Sequence, residues 1–153
     1  MRWVRGVGAF ATALATVTMT GAAVAAPYAV LASDPLGIEL IDLASVRRDG
    51  PLVRYQAITL MNVPPGHAGP GIPDEVRHKR ETDCPGHRRR LLETAIASNG
   101  GPASAPPWAE PGDWTEIDPV ELKLICNGSW GGERLPSVEA ARAELRKAAA
   151  QQP

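Results

Sequence analysis

The sequence predicts an α+β fold: an antiparallel β-sheet with a C-terminal α-helix packed on it and one disulfide. Three observations carry this reading. Short apolar runs separated by Asp-Gly, Pro-Gly and Asn-Gly-Gly turn signals fill residues 36–126, the expected sheet core. A helical repeat with capping residues at its start occupies residues 136–150. The chain has two cysteines, Cys84 and Cys126, an even pair in what reads as an exported protein.

Export is read from the first 26 residues. Arg2 and Arg5 precede an apolar run from Gly6 to Thr20, and Ala22-Ala23-Val24-Ala25-Ala26 supplies the small side chains that a signal peptidase accepts before its cut. Residues 1–26 are therefore expected to be a cleaved signal peptide and residues 27–153 a single exported domain, bound for the periplasm or the cell surface. The run is rich in Ala, Gly and Thr and falls short of the roughly 20 strongly apolar residues that a membrane span needs. No later stretch is longer, so no transmembrane segment is expected after cleavage. No cysteine precedes Cys84, so the lipid-acceptor cysteine of a lipoprotein is not found there. Removing residues 1–26 leaves 14 basic against 17 acidic side chains, a balance that argues against a nucleic-acid partner.

Within the mature part, Leu36 to Leu43 carries Ile38, Leu40, Ile41 and Leu43 and suits a strand. Arg47-Arg48-Asp49-Gly50-Pro51 reads as a turn. In Leu52 to Met61, Val53, Tyr55 and Ala57 share one parity and Ile58 and Leu60 the other. That switch calls for a bulge or for a strand end covered on both faces. Four prolines and three glycines between Val63 and Pro73 make an irregular loop. Asp74 to Asp83 is almost wholly polar and reads as a solvent-facing strand running into Cys84. Pro85-Gly86 turns the chain, and Arg88 to Ser98 returns beside it, with a helix over Arg89 to Ala97 as the alternative.

Asn99-Gly100-Gly101 is a turn and Pro102 to Pro111 a loop. Trp114, Ile117, Val120, Leu122, Leu124 and Ile125 form the most apolar stretch of the mature chain. Trp114 reads as a core residue, and Leu122 to Cys126 as a central strand anchored by the cysteine. Asn127 to Gly132 is a glycine-rich turn. Pro136 to Ala150 then reads as the helix: Pro136 and Ser137 start it, Glu139 lies in its first turn, and Val138, Ala141, Leu145 and Ala148 form one apolar stripe.

A disulfide from Cys84 to Cys126 would close a loop of about 43 residues and remove about 4 kcal/mol of unfolded-state entropy. The competing use of the same residues is a metal site of Cys84, His87 and Cys126, with His78 near, since Cys-x-x-His is a spacing zinc accepts. That site needs both thiols free, whereas export favours their oxidation, so no metal and no cofactor is expected.

Asp42, Ser45, Val46, the Gly50 turn and the Val53/Tyr55 run, followed by Asp83-Cys84, by Trp114 with Ile117 and Pro119, and by Cys126, resemble the surface-adhesin protein E-like family of Gram-negative bacteria. The resemblance covers residues 36–126. It implies an antiparallel sheet with a helix packed at its C-terminal end, the two cysteines joined, and a surface or periplasmic protein. For one branch of the family it implies adhesion to host or matrix proteins.

No complete catalytic constellation is present. Ser129 sits in Asn-Gly-Ser-Trp-Gly-Gly, outside the Gly-x-Ser-x-Gly frame, and the acid pairs Asp113/Glu116 and Asp118/Glu121 are spacings common on surfaces. Arg77, Lys79, Arg80, Arg88, Arg89 and Arg90 are a candidate binding cluster around Pro85-Gly86, because guanidinium forks suit sulfate, phosphate or carboxylate groups. Glu75, Glu81 and Asp83 stand among them and would salt-bridge part of the charge. Trp108 and Trp130 are candidate contact residues, tryptophan being enriched at binding hot spots. The expected function is non-enzymatic binding of an envelope or extracellular protein or polyanion. The alternative is a small periplasmic enzyme or metal-binding factor using His78, His87 and nearby acids.

Overall fold

The computed structural model describes residues 26–63, 72–98, 101–106, 109–130 and 132–151. The expected signal peptide falls outside them except for Ala26, and so do Trp108 and residues 64–71 of the Pro/Gly-rich loop. Five strands, β1 (Tyr28–Asp34), β2 (Gly37–Asp49), β3 (Leu52–Met61), β4 (Glu75–Asp83) and β5 (Arg88–Ala97), run antiparallel in chain order. Two short strands extend the edges, β6 (Thr115–Glu116) beside β5 and β7 (Arg134–Leu135) beside β1. The sheet order is β6-β5-β4-β3-β2-β1-β7. Helices α1 (Pro119–Asn127) and α2 (Val138–Ala150) complete the fold.

Turn chemistry explains the hairpins. Asp34 Oδ1 accepts from the backbone N–H groups of Leu36 at 2.7 Å and Gly37 at 2.9 Å, closing the β1–β2 turn. Gly50, at φ 55°, takes the left-handed backbone that the β2–β3 turn requires. Strand β1, like the two-residue β6 and β7, is not predicted by the sequence: it is short and abuts the signal region, and it is held between β2, where Tyr28 meets Asp42, and β7, where Tyr28 meets Leu135.

The parity switch in β3 has its answer in coverage rather than in a bulge. Register with β4 is continuous from Leu52–Asp83 to Leu60–Glu75, and neighbouring Ala57 and Ile58 are both buried because each faces a different core. On one face, α2 packs Ala141 and Leu145 against Ile38, Leu40, Ile58, Leu60 and Leu135. On the other, Ile125 of α1 packs with Ile41, Val53, Tyr55 and Ala57.

The expected strand from Leu122 to Cys126 is a helix instead. Asp118 caps it, its side chain accepting from Val120 N and Glu121 N; Pro119 takes the first helical position, and Gly128 ends the helix at φ 65°. Tertiary ties hold it on the sheet: the Cys84–Cys126 disulfide, with Cα atoms 5.8 Å apart, and Arg48 Nη2 donating to Ile125 O at 2.8 Å. Helix α2 begins at Val138, two residues after the predicted start, with Ser137 as N-cap accepting from Ala140 N at 3.1 Å.

Candidate binding surface

Antiparallel register sets directly opposed residues on the same face of a sheet. Arg47 of β2 opposes Arg54 of β3, Arg54 opposes Glu81 of β4, and Glu81 opposes Arg90 of β5. These four side chains form one row across four strands, on the α2 face but beyond the strand ends that α2 covers. At about 4.8 Å between strands, the row spans about 14 Å. An irregularity in β2 between Asp42 and Arg47 brings Arg47 into it. Ser45 Oγ pins that bulge, donating to Asp42 O at 2.6 Å and accepting from Gln56 N at 2.8 Å.

Glu81 is fully buried at the centre of the row. Its Oε1 accepts from Arg54 Nε at 2.6 Å, and its Oε2 accepts from Arg90 Nε at 2.9 Å and Nη2 at 2.6 Å. Burial alone would raise this carboxyl, but the hydrogen bonds from Arg54 and Arg90 outweigh it and hold the group below the usual carboxylate range. Arg47 donates to the backbone oxygens of Ala44 at 2.8 Å and Val46 at 2.9 Å. Among the described residues it has no carboxylate partner, so three arginines share one carboxylate. In the flanking rows Lys79 pairs with Glu93 at 2.6 Å and Arg88 with Asp83 at 2.9 Å, while Asp49 ends β2 and Asp42 lies within it opposite Gln56. Positive charge is concentrated in the middle row.

Trp114 closes the β5 end. The guanidinium carbons of Arg90 and Arg88 lie 4.7 Å and 4.9 Å from its ring centroid. Trp114 is thus a half-buried partner of arginines and not the core residue expected from its apolar neighbours.

The opposite face carries a second polar cluster beneath α1. Glu121 accepts from Tyr55 Oη at 3.1 Å and from Arg89 Nη1 on both carboxylate oxygens. Arg80 Nη1 lies 2.6 Å from Glu39 Oε1, out of line for a hydrogen bond, and 3.6 Å from Glu121. Burial, with the Glu121 charge adding, pushes the Tyr55 phenol up to about 12. His78 Nδ1 is 3.2 Å from Thr94 Oγ1, and burial followed by the Arg80 charge lowers its imidazole. A cleft of about 240 Å³ opens here, lined by His78, Arg80, Arg89, Arg90, Leu91 and Asp113. Arg80, Arg89 and Arg90 are already matched by Glu39, Glu121 and Glu81.

The six basic residues singled out in the sequence are thus divided between the two faces. Arg77, Lys79, Arg88 and Arg90 stand on the α2 face, Arg80 and Arg89 on the α1 face. Arg77 pairs with Glu75, and Glu75 is also held by Arg142 of α2. Trp130 is half-buried against the core beneath α1. Arg47, Arg54 and Trp114 are members of the row that sequence reasoning missed. Alternation of Arg54 with Val53 and Tyr55 was visible, but its partners depend on register and on the β2 bulge.

The disulfide consumes both thiolates that a Cys84/His87/Cys126 metal site would need. His87 lies in the β4–β5 turn at φ 49°, whereas His78 lies mid-strand opposite Thr94. Among the described residues no three His, Cys, Asp or Glu side chains converge as a metal-holding group. Asp118 and Glu121, the spaced acids, serve as helix cap and as ion-pair partner.

No family model matches the chain, and no curated protein matches its sequence. Solved structures do. One structure of protein E from Haemophilus influenzae covers 70% of this chain and 89% of its own, with 16% identity and a TM-score of 0.51. A second crystal form covers 80% of this chain and 99% of its own, with 18% identity and a TM-score of 0.51. The chain has a protein E-like fold. At such identity the likeness is one of backbone, so the arginine row on this protein E-like sheet is read from this chain's own residues.

Proposed function

We propose that this protein is an exported, non-enzymatic binding protein of the cell envelope or cell surface, of the adhesin E-like kind. The protein E-like fold is the observation that carries the reading. Two features agree with it: a disulfide that ties α1 to the sheet, and the absence of any helix among the described residues long and apolar enough to cross a membrane. Among the described residues, the surface we assign to contact is the Arg47–Arg54–Glu81–Arg90 row with Trp114, because the cations of the opposite face are paired with Glu39 and Glu121.

The test is retention of the oxidised domain, residues 27–153, on surfaces coated with outer-membrane vesicles or with extracellular-matrix extract. Wild-type protein is expected to be retained on at least one of them, and Arg47→Glu to be retained several-fold less. Absence of retention on both, or retention indifferent to Arg47→Glu, would contradict the reading.

A further inference from the structure

The arginine row also bears on the class of ligand, an inference that rests on the binding reading above. Within the row three arginines face one carboxylate, an excess of two positive charges in a band one side chain wide, with Asp49 of the adjoining row also acting on Arg54. The Arg54 and Arg90 side chains turn one edge to Glu81 and remain 55% and 39% exposed, so each keeps N–H groups for a second acceptor. A guanidinium with a free edge is a fork for the paired oxygens of a sulfate or a carboxylate. The sheet sets Arg47 and Arg54 one strand spacing apart and Arg54 and Arg90 two, with Glu81 between them, in a line about 14 Å long.

A flat, linear array of this kind suits an extended polymer carrying anionic groups in series, whose individually weak contacts add through their tethering. Trp114 adds a second requirement. Its indole, half-buried at the end of the row with the Arg88 and Arg90 guanidiniums over its ring, is the apolar surface that the row offers to the C–H face of a sugar. The band is narrow and flanked by acids, and the formal net charge of −1 disfavours a duplex nucleic acid.

We infer that this row binds a linear acidic polysaccharide, its sulfate or carboxylate groups in the forks of Arg47, Arg54 and Arg90 and a sugar ring against Trp114.

The test measures affinity of the oxidised 27–153 domain for three probes: heparin, which is sulfated; polygalacturonate, which carries carboxylates alone; and poly-glutamate, an acidic polymer without sugars. Arg47→Gln and Trp114→Ala are the variants of choice, since neither removes a partner of buried Glu81. Lys147→Gln removes the same unit charge from α2 as a control. Intact disulfide and an unchanged thermal midpoint certify the fold of each. One or both polysaccharides should bind more tightly than poly-glutamate. Arg47→Gln should weaken that binding about fivefold, the upper end of an exposed ion pair, Trp114→Ala comparably, and Lys147→Gln should leave it unchanged. Preference for heparin or for polygalacturonate names the anionic group.

Equal binding of poly-glutamate, or polysaccharide binding untouched by both variants, overturns the inference. So does failure to bind either polysaccharide. If retention on vesicles or matrix then remains sensitive to Arg47→Glu, only the ligand class falls; if that retention is also missing, the binding reading falls with it.

Discussion

Arg54 donates from Nε to Oε1 of Glu81 across the β3–β4 pair at 2.6 Å, joining a guanidinium that is half in water to a carboxylate that is wholly buried. That unequal exposure makes the two ends of the network unequal in cost. Removing the carboxylate with Glu81→Ala leaves Arg54 and Arg90 able to turn to solvent, and should cost about 1–2 kcal/mol. Removing both arginines strands a buried charge, and Arg54→Ala with Arg90→Ala should cost about 3–5 kcal/mol. Urea denaturation at neutral pH checks the order; equal costs would mean that Glu81 is hydrated in solution.

The disulfide crosses from the β4–β5 turn to the last turn of α1. Replacing Cys84 and Cys126 together by serine should lower stability by about 4 kcal/mol through the unfolded state. The sheet should survive, because Glu121 and Arg48 still fasten α1. Denaturant midpoints of the oxidised and serine forms, with far-ultraviolet circular dichroism of each, measure both effects.

His78 predicts a pH dependence. Its imidazole lies among Thr94, Arg80, Arg89 and Glu39, and burial, then Arg80, holds it below the ordinary 6.5. The unfolded chain therefore binds more protons at this site, so stability declines as pH falls from 6.5 toward the lowered value of the folded state. Glu81 has the related effect further down: its contribution is present above 4.5 and is lost as pH falls through its depressed folded value. Thermal midpoints from pH 7.5 to 4 should show both declines, and His78→Asn should remove the upper one alone.

On α2, Leu145 is 6% exposed and packs into the core of Ile38, Leu40, Ile58 and Leu60. Leu145→Ala should cost about 2–4 kcal/mol. Helix and sheet should stay docked, because Arg142 binds Asp74 at 2.7 Å and Glu75 at 2.6 Å. Equilibrium unfolding with hydrogen exchange of the α2 amides tests this.

Much of the architecture was legible where local chemistry and tertiary need agree. Alternation and the Asp49-Gly50 turn marked β2 and β3, Pro85-Gly86 marked the β4–β5 hairpin, and Ser137 with the Val138/Ala141/Leu145 stripe marked α2. At Leu122 to Cys126 apolar content favours a strand, but the capping residues decide for a helix. Asp118-Pro119 and Asn127-Gly128 are start and stop signals of a helix, and Glu121 with Ile125, four apart, lies on its buried side. Strand β1 was missed because its pairing is supplied by β2. The binding row was least legible: Arg47 and Glu81 are 34 residues apart, and only the bulge after Asp42 and the register of two strand pairs bring them into line.

The intact mass of the natural chain recovered from fractionated cells, alkylated with and without prior reduction, tests export and oxidation most directly. An exported binding domain predicts a chain beginning at Ala26 or Pro27 in the periplasmic or surface fraction, with two thiols that react only after reduction. A chain retaining its first 25 residues in the cytoplasm, with both thiols alkylated directly, would contradict it.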